Sequence, residues 1–135
     1  MKLEVCCYSA ESALIAEKSG ANRIELCDNF LEGGTTPSYS TIEFTVKNLK
    51  IPVNVIIRPR GGDFLYSEIE YQIIKRDILQ AKKLGANGVV TGFLKSNGEI
   101  DFRRTEEVVG LAKPMEVTFH RAFDMCKIRC WLYRN

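Results

Sequence analysis

The stretch Ala16-Glu17-Lys18-Ser19-Gly20-Ala21-Asn22 returns later in the chain as Ala81-Lys82-Lys83-Leu84-Gly85-Ala86-Asn87. Each copy closes a helical run with a glycine, the residue that most readily takes the left-handed turn after a helix, and each opens a short apolar run. A repeated helix-to-strand junction is the mark of a repeated βα unit. The same alternation continues along the chain. Strand-like segments fall at Leu3–Cys7, Arg23–Cys27, Val53–Ile57, Gly88–Thr91 and Glu116–His120, and helical periodicity at Ala10–Ser19, about Tyr39–Leu49, about Ser67–Leu84 and Asp101–Ala112. Ser9 precedes the first helix as an N-cap. Strand and helix in strict alternation argue for a parallel sheet with right-handed crossovers.

Two architectures accept such units, an open doubly wound sheet and a closed eight-stranded barrel. The side-chain parity of the strands separates them. Leu3, Val5 and Cys7 alternate with Glu4 and Cys6; Ile24 and Leu26 with Glu25 and Cys27; Val117 and Phe119 with Glu116, Thr118 and His120. An open sheet covered on both faces reads as continuous apolar strands, whereas a barrel can turn one face to its helices and the other to a site-bearing interior. The expectation is therefore an α/β chain, a partial (β/α)8 TIM-like barrel of about five parallel strands with intervening helices.

Composition excludes several alternatives. At 45% hydrophobic and 27% charged the chain has enough apolar content for a core. The net charge of +2 owes its sign to the last residues, where Lys127, Arg129 and Arg134 stand without an acid. No basic stripe points to nucleic acid, and no like-charged run to a membrane surface. No apolar stretch nears the roughly 20 residues a bilayer span needs, and the amino terminus lacks a signal peptide's pattern. A cytoplasmic location follows as the expectation. Cys6, Cys7, Cys27, Cys126 and Cys130 are then thiols in a reducing compartment, free or metal-bound. Cys126 and Cys130 are too loosely spaced to define a metal site.

Barrel chemistry is built at the carboxyl ends of the strands. Placed there are Cys6, Cys27, Arg58, Arg60, Asp63, His120, Arg121 and Asp124, with Glu4 and Glu25 one inward layer below. Glu25, Arg58, His120 and Asp124 are the catalytic candidates should the chain be an enzyme. Arg58, Arg60, Asp63 and Arg121 are the candidates for an anion site, because Arg58 and Arg60 flank a proline on an extended segment and guanidinium groups match carboxylate or phosphate. Glu4 and Glu25 read either as a carboxylate pair for acid/base work or as ion-pair partners of Arg58 and Arg60. Cys6 and Cys27 share the inward parity on strands about 4.8 Å apart. They read either as a thiolate pair, which would select Cu(I) over harder cations, or as small core residues. Cys7 has the outward parity and is expected to pack against a helix.

The stretches Glu4-Val5-Cys6, Gly20–Cys27, Glu32–Ser38, Ile56–Phe64 and Val117–Met125 together resemble the CutC copper-homeostasis family. Within them Arg-Pro-Arg-Gly-Gly-Asp-Phe and Thr-Phe-His-Arg-Ala-Phe-Asp are the most specific runs. The resemblance implies a cytoplasmic TIM-barrel-like protein of copper handling, with Cu(I) at Cys6 and Cys27 and with no reaction assigned. A TIM-barrel enzyme acting on a small anionic metabolite is the alternative. The resemblance covers about residues 2–125, and 126–135 match no family continuation, so an incomplete barrel domain over 1–125 with a non-family tail is expected. Open strand edges in such a truncated chain imply a non-functional fragment or association into a homodimer.

Overall fold

The computed structural model describes residues 1–127, and Cys130 with the rest of the tail lies outside the described residues. The elements follow as β1 (Glu4–Cys7), α1 (Ala10–Lys18), β2 (Arg23–Leu26), α2 (Tyr39–Asn48), β3 (Val53–Ile56), α3 (Glu68–Lys83), β4 (Gly88–Thr91), α4 (Phe102–Ala112) and β5 (Glu116–Phe119). Two short 3-10 turns, Phe30–Glu32 and Arg121–Met125, lie in the loops after β2 and β5. All neighbouring strands are parallel and their order is the order of the chain, β1-β2-β3-β4-β5. The chain is thus an α/β arc of consecutive βα units, as the alternation predicts.

Each helix starts where a side chain can accept an otherwise orphaned amide. Ser9 and Ser67 form capping boxes with Ser12 and Glu70, Ser38 accepts from the amide of Thr41, and Asp101 accepts from that of Arg104. The repeated junction has a shared geometry that explains the shared sequence. Gly20 and Gly85 take φ of 97° and 89°, and the next amides, of Ala21 and Ala86, turn back onto the carbonyls of Ala16 and Ala81 at 3.0 and 3.1 Å. The asparagine that follows clamps the start of the preceding strand. Asn22 Oδ1 accepts from the Leu3 amide at 2.8 Å and Asn87 Oδ1 from the Val53 amide at 2.9 Å. The same two asparagines donate their own amides to the carbonyls of Leu3 and Val53.

The outward parity of the strands builds the core. Cys7, Ile24, Leu26, Val53, Val55, Ile57 and Val89 are buried against the helices, and α3 answers with Tyr71, Ile74, Ile78 and Ala81. A side chain such as Ile74 or Val89, fully removed from water, contributes about 1.5–3 kcal/mol. β3 and β4 are buried on both faces, whereas β1 and β5 leave their inward residues Glu4, Cys6, Glu116 and Thr118 exposed. They are the edges of the sheet among the described residues.

The sheet curls. Arg23, projecting inward from β2, pairs with Glu4 of β1 and reaches Glu116 of β5 at 3.4 Å. In a flat sheet β2 and β5 stand three strand spacings apart, about 14 Å, so this contact requires the concave interior of a barrel wall. A partial barrel, rather than an open doubly wound sheet, is the observed architecture.

Candidate metal and ligand site at the strand tops

The inward residues at the carboxyl ends of the strands surround a cavity of about 550 Å³. Its wall includes Cys6 and Tyr8 from β1 and its exit, Glu25 from β2, Arg58 and Phe64 from the segment after β3, and Thr118, His120, Arg121 and Asp124 from β5 and the turn that follows.

Register explains the thiol pair. Cys6 lies opposite Glu25 across the β1–β2 ladder, so Cys27 sits one inward step further along the neighbouring strand. The two Sγ atoms are 3.5 Å apart, and the Cys27 thiol lies 3.5 Å from Glu25 Oε1. One ligand atom from each of Cys6, Glu25 and Cys27 can be chosen so that all lie within 4.8 Å of one another. Cys6 is exposed to the cavity side and Cys27 is buried. Burial, reinforced by Cys6 and Glu25, pushes the Cys27 thiol well above its ordinary value. Burial likewise raises the Glu25 carboxyl, and Tyr8 is pushed up to about 12 by burial and then by its hydrogen bond to Cys6. Burial thus favours the protonated forms of Cys27, Glu25 and Tyr8.

Arg58 is buried, and its guanidinium is held by backbone alone. Nη1 donates to the carbonyls of Glu32 and Gly34 at 2.7 and 2.9 Å, and Nη2 to that of Gly62 at 2.9 Å. It thereby ties the loop after β2 to the loop after β3. The Phe64 ring lies against it, 5.1 Å from Cζ to the ring centroid. His120 also approaches Phe64, with ring centroids 4.9 Å apart. His120 Nδ1 accepts from the Ala122 amide at 3.1 Å, which leaves the proton of the neutral ring on Nε2. In that tautomer Nε2 is a donor and not a metal ligand. Burial, then the charge of Arg58, depresses the imidazole to about 4. Gly92, directly after β4, makes room for the ring, since a Cβ there would stand 2.8 Å from it.

The structure does not bring all sequence candidates together. Cys6, Glu25, Arg58, His120, Arg121 and Asp124 converge on the cavity, with Cys27 buried behind Cys6 and Glu25; Arg121 and Asp124 meet each other at 3.0 Å. Arg60 and Asp63 turn elsewhere. Arg60 pairs with Glu70 at 2.6 Å and with Asp63 at 3.1 Å, and lies over Tyr66, bracing the start of α3. Glu4 takes Arg23 as its partner rather than Arg58 or Arg60, and Glu25 neighbours Cys27. Tyr8, Phe64, Thr118 and Arg23 were not singled out from the sequence. Arg23 could have been, because it shares the inward parity of Glu25 and Cys27.

Residues 1–130 match the model of the CutC family. The chain belongs to the CutC family. A curated CutC family protein of Serratia proteamaculans is 53% identical over 127 residues, covering 94% of this chain and 50% of that protein. One from Photorhabdus laumondii is 50% identical over 125 residues, with 93% and 50% covered. The chain thus spans about half the length of the curated CutC relatives it matches. Among solved structures, the CutC protein of Streptococcus agalactiae, named for copper homeostasis, superposes with a TM-score of 0.86 at 38% identity, covering 93% of this chain and 62% of that one. A Burkholderia cenocepacia protein named as a phosphonomutase aligns over 91% of this chain with a TM-score of 0.57 and 19% identity, a likeness of fold alone. The thiol pair, the Arg58 clamp and His120 all fall within the CutC match.

Proposed function

We propose that this CutC chain acts in copper homeostasis by binding Cu(I) through Cys6 and Cys27. The observation that carries the reading is the pair of thiols 3.5 Å apart, with Cys6 at the wall of the cavity and Cys27 buried beside it. Soft sulfur donors favour Cu(I), while hydrolytic zinc prefers more nitrogen or carboxylate ligands. The name of the Streptococcus agalactiae relative is in keeping with this assignment. Glu25 is the hard member of the trio and suits the proton released by Cys27 better than the metal. Binding requires the thiols to lose their protons, so apparent affinity rises with pH. The reading places the protein in the cytoplasm, where thiols stay reduced; no described helix is long and apolar enough to cross a membrane.

The test is a Cu(I) titration against a competing chelator under reducing conditions. Cys6→Ser and Cys27→Ser should each weaken binding by more than the roughly 10–100-fold that loss of an outer-shell partner costs. Unchanged affinity in both variants would overturn the assignment.

A further inference from the structure

Copper chemistry at the thiols leaves Arg58 and His120 of the cavity lining without a role, and these two residues carry unmet demands. Arg58 is 6% exposed, yet no carboxylate among the described residues lies within ion-pair distance of it. Buried charges are ordinarily paired. Its charge acts on His120 and on the Tyr66 hydroxyl, neither of them an anion. His120, for its part, holds a buried Nε2 with no hydrogen-bond partner, and Arg58 Nε is in the same position. A buried donor left unmet costs about 1–3 kcal/mol. Both residues line the cavity at the strand tops, where barrels place their ligands.

The acids of the cavity lining do not remove the demand. Asp124 is taken by Arg121, and neither Glu25 nor Glu32 lies within ion-pair distance of Arg58. Carbonyls take three of the five N–H donors of Arg58, which leaves Nε and one hydrogen of Nη2 without a protein partner.

We propose that this cavity binds the oxyanion group of a small molecule, a carboxylate or phosphate, one oxygen of which accepts the Nε2 proton of His120 while its charge offsets that of Arg58. Phe64 lies against both groups, and its side chain turns aside to admit the ligand. The site is built from residues other than the thiol pair and holds whether or not those thiols carry copper. Of the anion candidates Arg58, Arg60, Asp63 and Arg121 it keeps Arg58 and adds His120, leaving Arg60 and Asp63 to α3 and Arg121 to Asp124.

His120 is the only histidine in the chain, so its ring nitrogens give nitrogen-15 resonances free of overlap. The experiment titrates the metal-free, reduced chain at neutral pH with inorganic phosphate and, separately, with succinate. The expected result is a saturable shift of the Nε2 resonance larger than that of Nδ1, and the arm that produces it identifies phosphate or carboxylate as the preferred group. By calorimetry His120→Phe should lose at least about tenfold in affinity for that probe, the value of a hydrogen bond to a charged group, and Phe64→Ala should bind at least as well as wild type. Absence of any Nε2 shift with both probes, or a folded His120→Phe that binds like wild type, overturns the proposal. Should His120→Phe fail to fold, the wild-type resonances decide alone.

Discussion

His120 is held neutral by its surroundings: burial and the charge of Arg58 depress it to about 4, against an ordinary value of 6.5. The unfolded chain takes up a proton below pH 6.5 that the folded chain resists until about 4. Stability from this residue is therefore complete above pH 6.5 and declines as the pH falls toward 4, by up to about 3 kcal/mol. Urea denaturation of wild type and His120→Gln over that range should show the wild-type curve falling more steeply; parallel curves would mean that the imidazole is not buried neutral. Cys27 works in the opposite sense. Its thiol is pushed up by burial and by its neighbours, so it stays protonated until a metal competes, and a thiol-specific reagent should modify the exposed Cys6 first.

At the scale of elements, the repeated junction does two tasks, turning the chain out of a helix and clamping the start of the preceding strand. Asn87→Ala removes the acceptor for the Val53 amide, which should cost about 1–3 kcal/mol in urea unfolding, and more than Asn22→Ala, whose partner Leu3 is exposed. Equal and negligible losses would show that the asparagines are incidental. These elements were legible because each carries its own signal: a serine or aspartate at the helix start, a glycine at its end, a parity of two in the strands. The segments Val53–Ile57 and Gly88–Thr91 were found to within a residue for that reason. The candidate site was legible only in part. Parity brings Cys6, Glu25, Cys27 and His120 to one face, but it ends where the strand ends, and Arg58, Arg60 and Asp63 lie in a loop whose course depends on its partners. Arg58 turns inward to three carbonyls while Arg60, two residues on, turns out to Glu70. The short turn at Arg121–Met125 was missed because its helical cap is the histidine itself.

Over the whole molecule, Arg23 joins β1 and β5 through Glu4 and Glu116 across the concave face, and the chain spans about half the length of the curated CutC relatives it matches. Among the described residues β1 and β5 are open edges, and an open strand edge recruits another strand. Light scattering after size exclusion should therefore find this chain self-associated, a homodimer being the smallest closed form; a stable monomer at micromolar concentration would contradict that. Copper X-ray absorption on the chain loaded with one equivalent of Cu(I) reads the ligands of the metal itself: if Cys6 and Cys27 hold it, the first shell is sulfur and is lost in the Cys6→Ser, Cys27→Ser double variant, whereas a shell of nitrogen or oxygen, or a sulfur shell unchanged by the double substitution, would contradict copper binding by the inward thiols.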